Sequence, residues 1–240
     1  MWHAVETSIQ TANKTHQVGT SFKKKEELVC INICIHIKKK TFIENATPSH
    51  PISRPACSVA ELMKRTKFSK DQIRHLYRRF KQDSPSGQVN REQFAIIFAT
   101  LFPTGESYRY SLYVFQNIDR LNTNIIRFED MLATFSLLVY GSMKDRLGWI
   151  FDLYDLNKDG ILTRPELFQL IASIFQLIIP IRKLDYRPTL NTIEERTDRL
   201  FRAWDVHDKG SINKEDFLQY CLQNEAIIRS MDKLKSEICL

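Results

Sequence analysis

The 240-residue sequence has no Gly-rich phosphate loop, no nucleophile with an adjacent base and no His/Cys spacing suited to a transition metal. With those features go the common routes to catalysis. The ten-residue apolar run Leu28 to Ile37 falls short of the roughly 20 residues that a membrane-spanning helix needs. It also starts too late, and lacks the small-residue cleavage site, for a secretory signal. The five cysteines (Cys30, Cys34, Cys57, Cys221 and Cys239) are odd in number and scattered, which points to a reducing, cytoplasmic compartment rather than a disulfide framework. Met1-Trp2 lacks the second-position glycine that N-myristoylation requires.

What is present is a basic excess confined to one end. Of a formal net charge of +7, residues 1–67 carry eleven Lys and Arg against five acids, and the rest of the chain 24 against 23. Such an arm favours acidic partners: an anionic leaflet, a protein surface or nucleic acid. Lysine triplets (Lys23 to Lys25 and Lys38 to Lys40) flank the run Leu28 to Ile37, whose alternation of Val29, Ile31, Ile33, Ile35 and Ile37 with polar residues suits an extended or interfacial segment. Two readings stand: a membrane-surface anchor acylated at Cys30 and Cys34, or a tail whose apolar stretch docks on the protein itself. Nucleic acid is disfavoured, because the arm lacks interleaved aromatics. Pro48, Pro51 and Pro55 mark its end as a linker.

The twelve residues Asp155 to Glu166 (DLNKDGILTRPE) carry the most specific signal. A hard dication takes six to eight oxygens from positions 1, 3, 5, 7, 9 and 12 of such a loop, with glycine at position 6. Asp155, Asn157 and Asp159 offer side-chain oxygens, Ile161 its backbone carbonyl, Thr163 a bridging water and Glu166 both carboxylate oxygens, around Gly160. These are calcium ligands in kind and spacing. Leu147, Ile150, Phe151 and Tyr154 before the loop, and Leu167, Leu170, Ile171 and Ile174 after it, predict a helix on each side. Thr163 and Glu166 have capping-box spacing, so the second helix should begin inside the loop.

The frame recurs at Gln82, Asp119 and Asp205, each copy with a branched apolar residue at position 8 (Val89, Ile126, Ile212, beside Leu162). Position 8 is where paired loops exchange a short β bridge. The predicted fold is all-α: four helix-loop-helix units in two pairs, behind a basic, largely irregular N-terminal arm. The boundaries are 1–67 for arm and linker, 68–140 for the first pair, and 141–240 for the second pair with a C-terminal helix. A longer connection around Pro180 to Leu190 separates units three and four.

Three of the four loops have lost the calcium chemistry. The first has Gln82 and Gln93 at its ends and Pro85 within, and its helical stripe ends at Phe80, two residues before Gln82 rather than one. The second has Leu121, Thr123 and Arg127 at positions 3, 5 and 9. The fourth has His207 at position 3, Lys209 at position 5, whose ammonium opposes a cation, and Asp216 at position 12, where a longer glutamate would reach the ion with two oxygens. A weak magnesium-like site is the fallback there.

Residues 58–240 resemble the neuronal calcium sensor branch of the EF-hand proteins. The disabled first loop FKQDSPSG, then NREQF and LFPTGESYRYSLYVF, carry that resemblance. RFEDMLATFSLLVYGSMKDRLGWIFDLYDLNKDG and the ending NEAIIRSM resemble the Kv channel-interacting proteins more than recoverin-like or cyclase-activating members. The resemblance implies a cytoplasmic auxiliary subunit that clasps the N-terminal segment of a voltage-gated potassium channel. The alternatives are a general neuronal calcium sensor with another target, such as a guanylate cyclase, or a calcium-dependent DNA-binding repressor. Candidate lining residues for an apolar groove are Trp149, Phe98, Phe135, Phe151, Ile174 and Leu170, although such stripes ordinarily face the core. A last helix bearing Ile227, Met231, Leu234 and Ile238 is placed to cover that groove.

Overall fold

A computed structural model describes residues 57–103, 105–178 and 189–238. The reading of the arm, and of most of the connection after unit three, lies outside the described residues. Ten helices are found among them: α1 Val59–Arg65, α2 Lys70–Asp83, α3 Arg91–Leu101, α4 Tyr108–Ile118, α5 Phe128–Tyr140, α6 Met143–Tyr154, α7 Arg164–Ile178, α8 Leu190–Trp204, α9 Lys214–Gln223 and α10 Glu225–Ile238. Four two- or three-residue strands, β1 Gln88–Asn90, β2 Ile125–Arg127, β3 Ile161–Leu162 and β4 Ile212–Asn213, lie inside the four loops. The all-α EF-hand fold follows: α2 to α3, α4 to α5, α6 to α7 and α8 to α9 are its helix-loop-helix units.

The strands pair as the position-8 pattern requires. Val89 faces Ile126 across the antiparallel β1–β2 bridge, and Leu162 faces Ile212 across β3–β4. All four side chains are buried, at 3% exposure or less. A bridge of two or three residues supplies few hydrogen bonds, so burial of these branched residues holds the register. The helices close a shared core from their periodic apolar faces, Ile73, Leu76 and Phe80 on α2 and Leu147, Ile150, Phe151 and Tyr154 on α6 among them.

One helix was missed in the linker. Ser58 accepts from the Glu61 amide and starts α1, whose Leu62 is buried; Cys57 N–H donates to Glu129 Oε1 and Lys67 N–H to Ser136 Oγ, tying the segment to α5. The Ser-x-x-Glu spacing carried that signal. Burying one leucine side chain contributes about 2 kcal/mol, so among the described residues packed structure extends N-terminal of 68, into the linker.

The groove candidates are interior. Trp149, Phe98, Phe135, Phe151, Ile174 and Leu170 are all buried, and the ordinary core reading of their stripes holds in this state. Helix α10 is docked on the C-terminal pair, with Ile227 and Met231 buried and the Arg146 guanidinium donating to the Met231 carbonyl at 3.4 Å. The side chains of Leu234 and Ile238 lie outside the described residues.

Candidate metal centre

Helix α6 ends at Tyr154, and Asp155 turns the chain. Its carboxylate accepts from the Asp159 amide at 3.3 Å and the Gly160 amide at 2.8 Å. Closing so tight a loop needs two left-handed residues, Lys158 at φ +63° and Gly160 at φ +86°. Asn157 Oδ1 accepts from the Asp159 amide at 3.0 Å, its Nδ2 donates to Asp159 Oδ2 at 2.8 Å, and Asp159 Oδ1 accepts from the Ile161 amide at 2.8 Å. Ile161 itself is exposed and paired with Asn213 in β3–β4.

Glu166 reaches back across the loop. One carboxylate oxygen accepts from the Thr163 amide at 2.9 Å and the Thr163 hydroxyl at 2.6 Å, the other from the Asn157 amide at 3.2 Å. Helix α7 therefore starts inside the loop on the expected cap, with Pro165 in its first turn, where no N–H is missed. No three carboxyl, imidazole or thiol groups among the described residues close on one point; the loop's oxygens are held instead by its own N–H groups. Asp155 and Glu166 are nevertheless buried, 4% and 8% exposed, and neither is ion-paired among the described residues. Two buried carboxylates hydrogen-bonded only by neutral groups are costly without a cation, and the nearby Lys158 ammonium interacts with Asp155 alone of the two. The donor set, all oxygen with three carboxylates, fits calcium in kind.

Lys158 was not singled out by sequence. Its ammonium is tucked against the Asp152 carbonyl and Asn117 Oδ1, the latter at 3.0 Å. Burial holds it below the usual lysine range, against the opposing pull of Asp155 and Asp152.

The other loops keep the turn and lose the ligands. Asp119 accepts from the Thr123 and Asn124 amides at 2.9 and 2.7 Å, and Asp205 from the Lys209 and Gly210 amides at 2.9 and 2.7 Å. Asn122 and Asn124, and likewise Asp208 and Gly210, take the same two left-handed positions. Loop one differs: its fourth position is Pro85, which cannot take positive φ, and Gln82 replaces the turning aspartate. Helix α2 runs on to Asp83, and Ser84 and Ser86 make the turn by donating to the Gln88 carbonyl at 2.5 and 2.9 Å. In loop four, His207 Nε2 and Lys209 Nζ lie 3.6 and 3.7 Å from the two oxygens of Asp216. The position-12 carboxylate there has a cation of its own in Lys209.

A family description of the EF-hand domain pair matches residues 144–222, which span loops three and four. The chain is 27% identical to recoverin from Homo sapiens over 169 residues, covering 70% of this chain and 84% of that protein. The chain carries a calcium-binding EF-hand domain pair and is similar to recoverin. The likeness supports the neuronal calcium sensor branch, and the placing within that branch rests on other grounds.

Proposed function

We propose that the chain is a regulatory calcium sensor with one working site, held by Asp155, Asn157, Asp159, the Ile161 carbonyl and Glu166. The observation that carries this reading is the pair of buried carboxylates, Asp155 and Glu166, whose hydrogen bonds all come from neutral groups. Calcium, when bound, supplies the charge that they lack. Asp159 and Glu166 then exchange their contacts to loop N–H groups for the ion, and Glu166 passes any displacement directly to α7, whose first turn it occupies. Calorimetric titration tests this: one site is expected, and no heat, or two sites of similar strength, refutes it.

In its finer form the proposal is an auxiliary subunit of voltage-gated potassium channels in the cytoplasm, clasping a channel N-terminal segment. The stretches from Arg127 to Gly160 and from Asn224 to Met231 support it by their resemblance to the Kv channel-interacting proteins. With the candidate lining residues buried, a partner helix needs an apolar surface to be uncovered first, and α10 is the element placed to leave. Deleting residues 225–240 should raise affinity for a channel N-terminal peptide; unchanged affinity removes the displacement step. A pull-down with that peptide, with and without calcium, separates this reading from a sensor of another target. The basic arm with Cys30 and Cys34 is proposed to hold the protein at an anionic membrane surface, and absence of a thioester-cleavable acyl label on both cysteines rejects acylation.

A further inference from the structure

Loop three is held from outside its own unit. Helix α4, the entering helix of unit two, touches it twice: Gln116 Nε2 donates to the Leu156 carbonyl at 3.3 Å, and Asn117 Oδ1 accepts from Lys158 Nζ at 3.0 Å. Asn117, only 3% exposed, donates through Nδ2 to the Trp149 carbonyl of α6 at 3.1 Å. The segment before α4 touches the far end of α7: the Glu106 amide donates to the Gln176 carbonyl at 2.9 Å, and a Cβ on Gly105 would sit 1.8 Å from the Leu177 carbonyl oxygen. Helix α4 and the segment before it thus touch unit three at the first residues of its loop and at the end of the helix that Glu166 starts.

We infer that Asn117 and Lys158 are positioning residues for the calcium loop, so that the N-terminal pair, which has lost its own ligands, sets the affinity of loop three. Lys158 offers no ligand oxygen. It occupies one of the two left-handed positions, between the ligands Asn157 and Asp159, and its ammonium is tied to two fixed acceptors, the Asp152 carbonyl and Asn117. Fixing that side chain restricts the strained backbone on either side of which the ligands hang. Leu156, between the ligands Asp155 and Asn157, is restrained likewise through its carbonyl by Gln116. Groups that orient ligands without touching the ion commonly change metal affinity by about 10- to 100-fold.

Charge and positioning predict opposite signs for one substitution. A lysine beside Asp155 repels an incoming dication, so if Lys158 acts only through its charge, Lys158→Met binds calcium more tightly. If it positions the loop, Lys158→Met binds more weakly in spite of the lost repulsion. The inference rests on the calcium reading of loop three, and the experiment separates the two. Calorimetry on the full chain is expected to give one site in the wild type, about tenfold weaker binding in Lys158→Met and in the charge-neutral Asn117→Leu, and near-complete recovery in Lys158→Arg. In calcium-free protein, amide exchange at Asp159 and Gly160 should quicken in both weakened variants. Should Asn117→Leu prove unfolded by circular dichroism, Gln116→Ala, which removes only the contact to Leu156, takes its place with a several-fold weakening. Tighter or unchanged binding in Lys158→Met overturns the inference, as does unchanged binding in Asn117→Leu or Gln116→Ala. No heat in the wild type overturns the calcium reading itself.

Discussion

Loops three and four are nearly the same backbone with different chemistry. Both begin with an aspartate that accepts from the amides at positions 5 and 6, both use left-handed residues at positions 4 and 6, and their position-8 residues face each other in β3–β4. They part at positions 3, 5 and 12. Asn157, Asp159 and Glu166 put two carboxylates and no cation at those positions, Glu166 being buried; in loop four the Asp216 carboxylate lies beside the Lys209 ammonium within the loop. An aspartate at position 1 and a left-handed residue at position 6 therefore serve the turn, whether or not an ion follows. Loop two, with Asp119 and Asn124 in those places, repeats the lesson. Position 12 likewise has a second duty as the third residue of the exit helix: Gln93 and Asp130 accept from the Asn90 and Arg127 amides as Glu166 does from Thr163.

The comparison breaks first at Glu166. Glu166→Gln removes one charge and the bidentate ligand while leaving an acceptor for the cap, and calcium affinity should fall by about 100-fold or more, read by calorimetry. Retained affinity would mean that the ion is held elsewhere. The reverse change comes next: His207→Asp with Lys209→Asp and Asp216→Glu should give loop four the charge pattern of loop three. The number of calcium ions bound should rise from one to two. If it stays at one, backbone differences that the shared hydrogen bonds do not reveal decide ion binding.

Much of this was legible in the residues. Four loops, their pairing through Val89, Ile126, Leu162 and Ile212, and the start of α7 on Thr163 and Glu166 follow from spacing, because each is a local pattern with one physical solution. Helix α1 was legible in Ser58 and Glu61 and was masked by the prolines just before it. The contacts of Lys158 and Gln116 with unit two were not legible, since they depend on how helices of different units pack, and position 4 of a calcium loop is assigned no ligand. The interior placing of Trp149, Phe98 and Phe135 is what periodicity ordinarily implies, although an apolar helix face does not by itself say what covers it.

Smaller changes sharpen what the two loops share. Gly160→Ala and Gly210→Ala add a Cβ with nothing within 4 Å, at φ +86° and +70°. Only backbone strain is added, about 1 kcal/mol each. Equal losses in chemical denaturation of calcium-free protein would confirm that the turn is common property of both loops; a larger loss at one would show that the backbones differ in stored strain. Lys209→Met should cost less than about 1 kcal/mol, because the lysine is half exposed and solvent screens its pairing with Asp216. A larger loss would mean that the ammonium is structural in loop four as an ion is proposed to be in loop three.

The smallest effect expected concerns the helix that delivers loop three. Ser142 and Asp145 form a capping box at the start of α6, with the Ser142 amide and hydroxyl donating to Asp145 Oδ2 at 2.8 and 2.7 Å. Those hydrogen bonds hold the Asp145 carboxyl below the usual carboxylate range. A depressed folded pKa stabilises the protein above the unfolded value of 3.8, and that stability is lost as pH falls through the lower folded value. Loop four is approached by α8, where the Thr189 hydroxyl accepts from the Thr192 amide at 3.3 Å, with no carboxylate in the cap. Asp145→Asn should therefore lower stability by a few tenths of a kcal/mol at pH 7 and by nothing at pH 2, whereas Thr189→Ala should cost about 1 kcal/mol at both. Urea unfolding at the two pH values checks this, and an Asp145→Asn loss that persists in acid would assign the cap to shape rather than to charge.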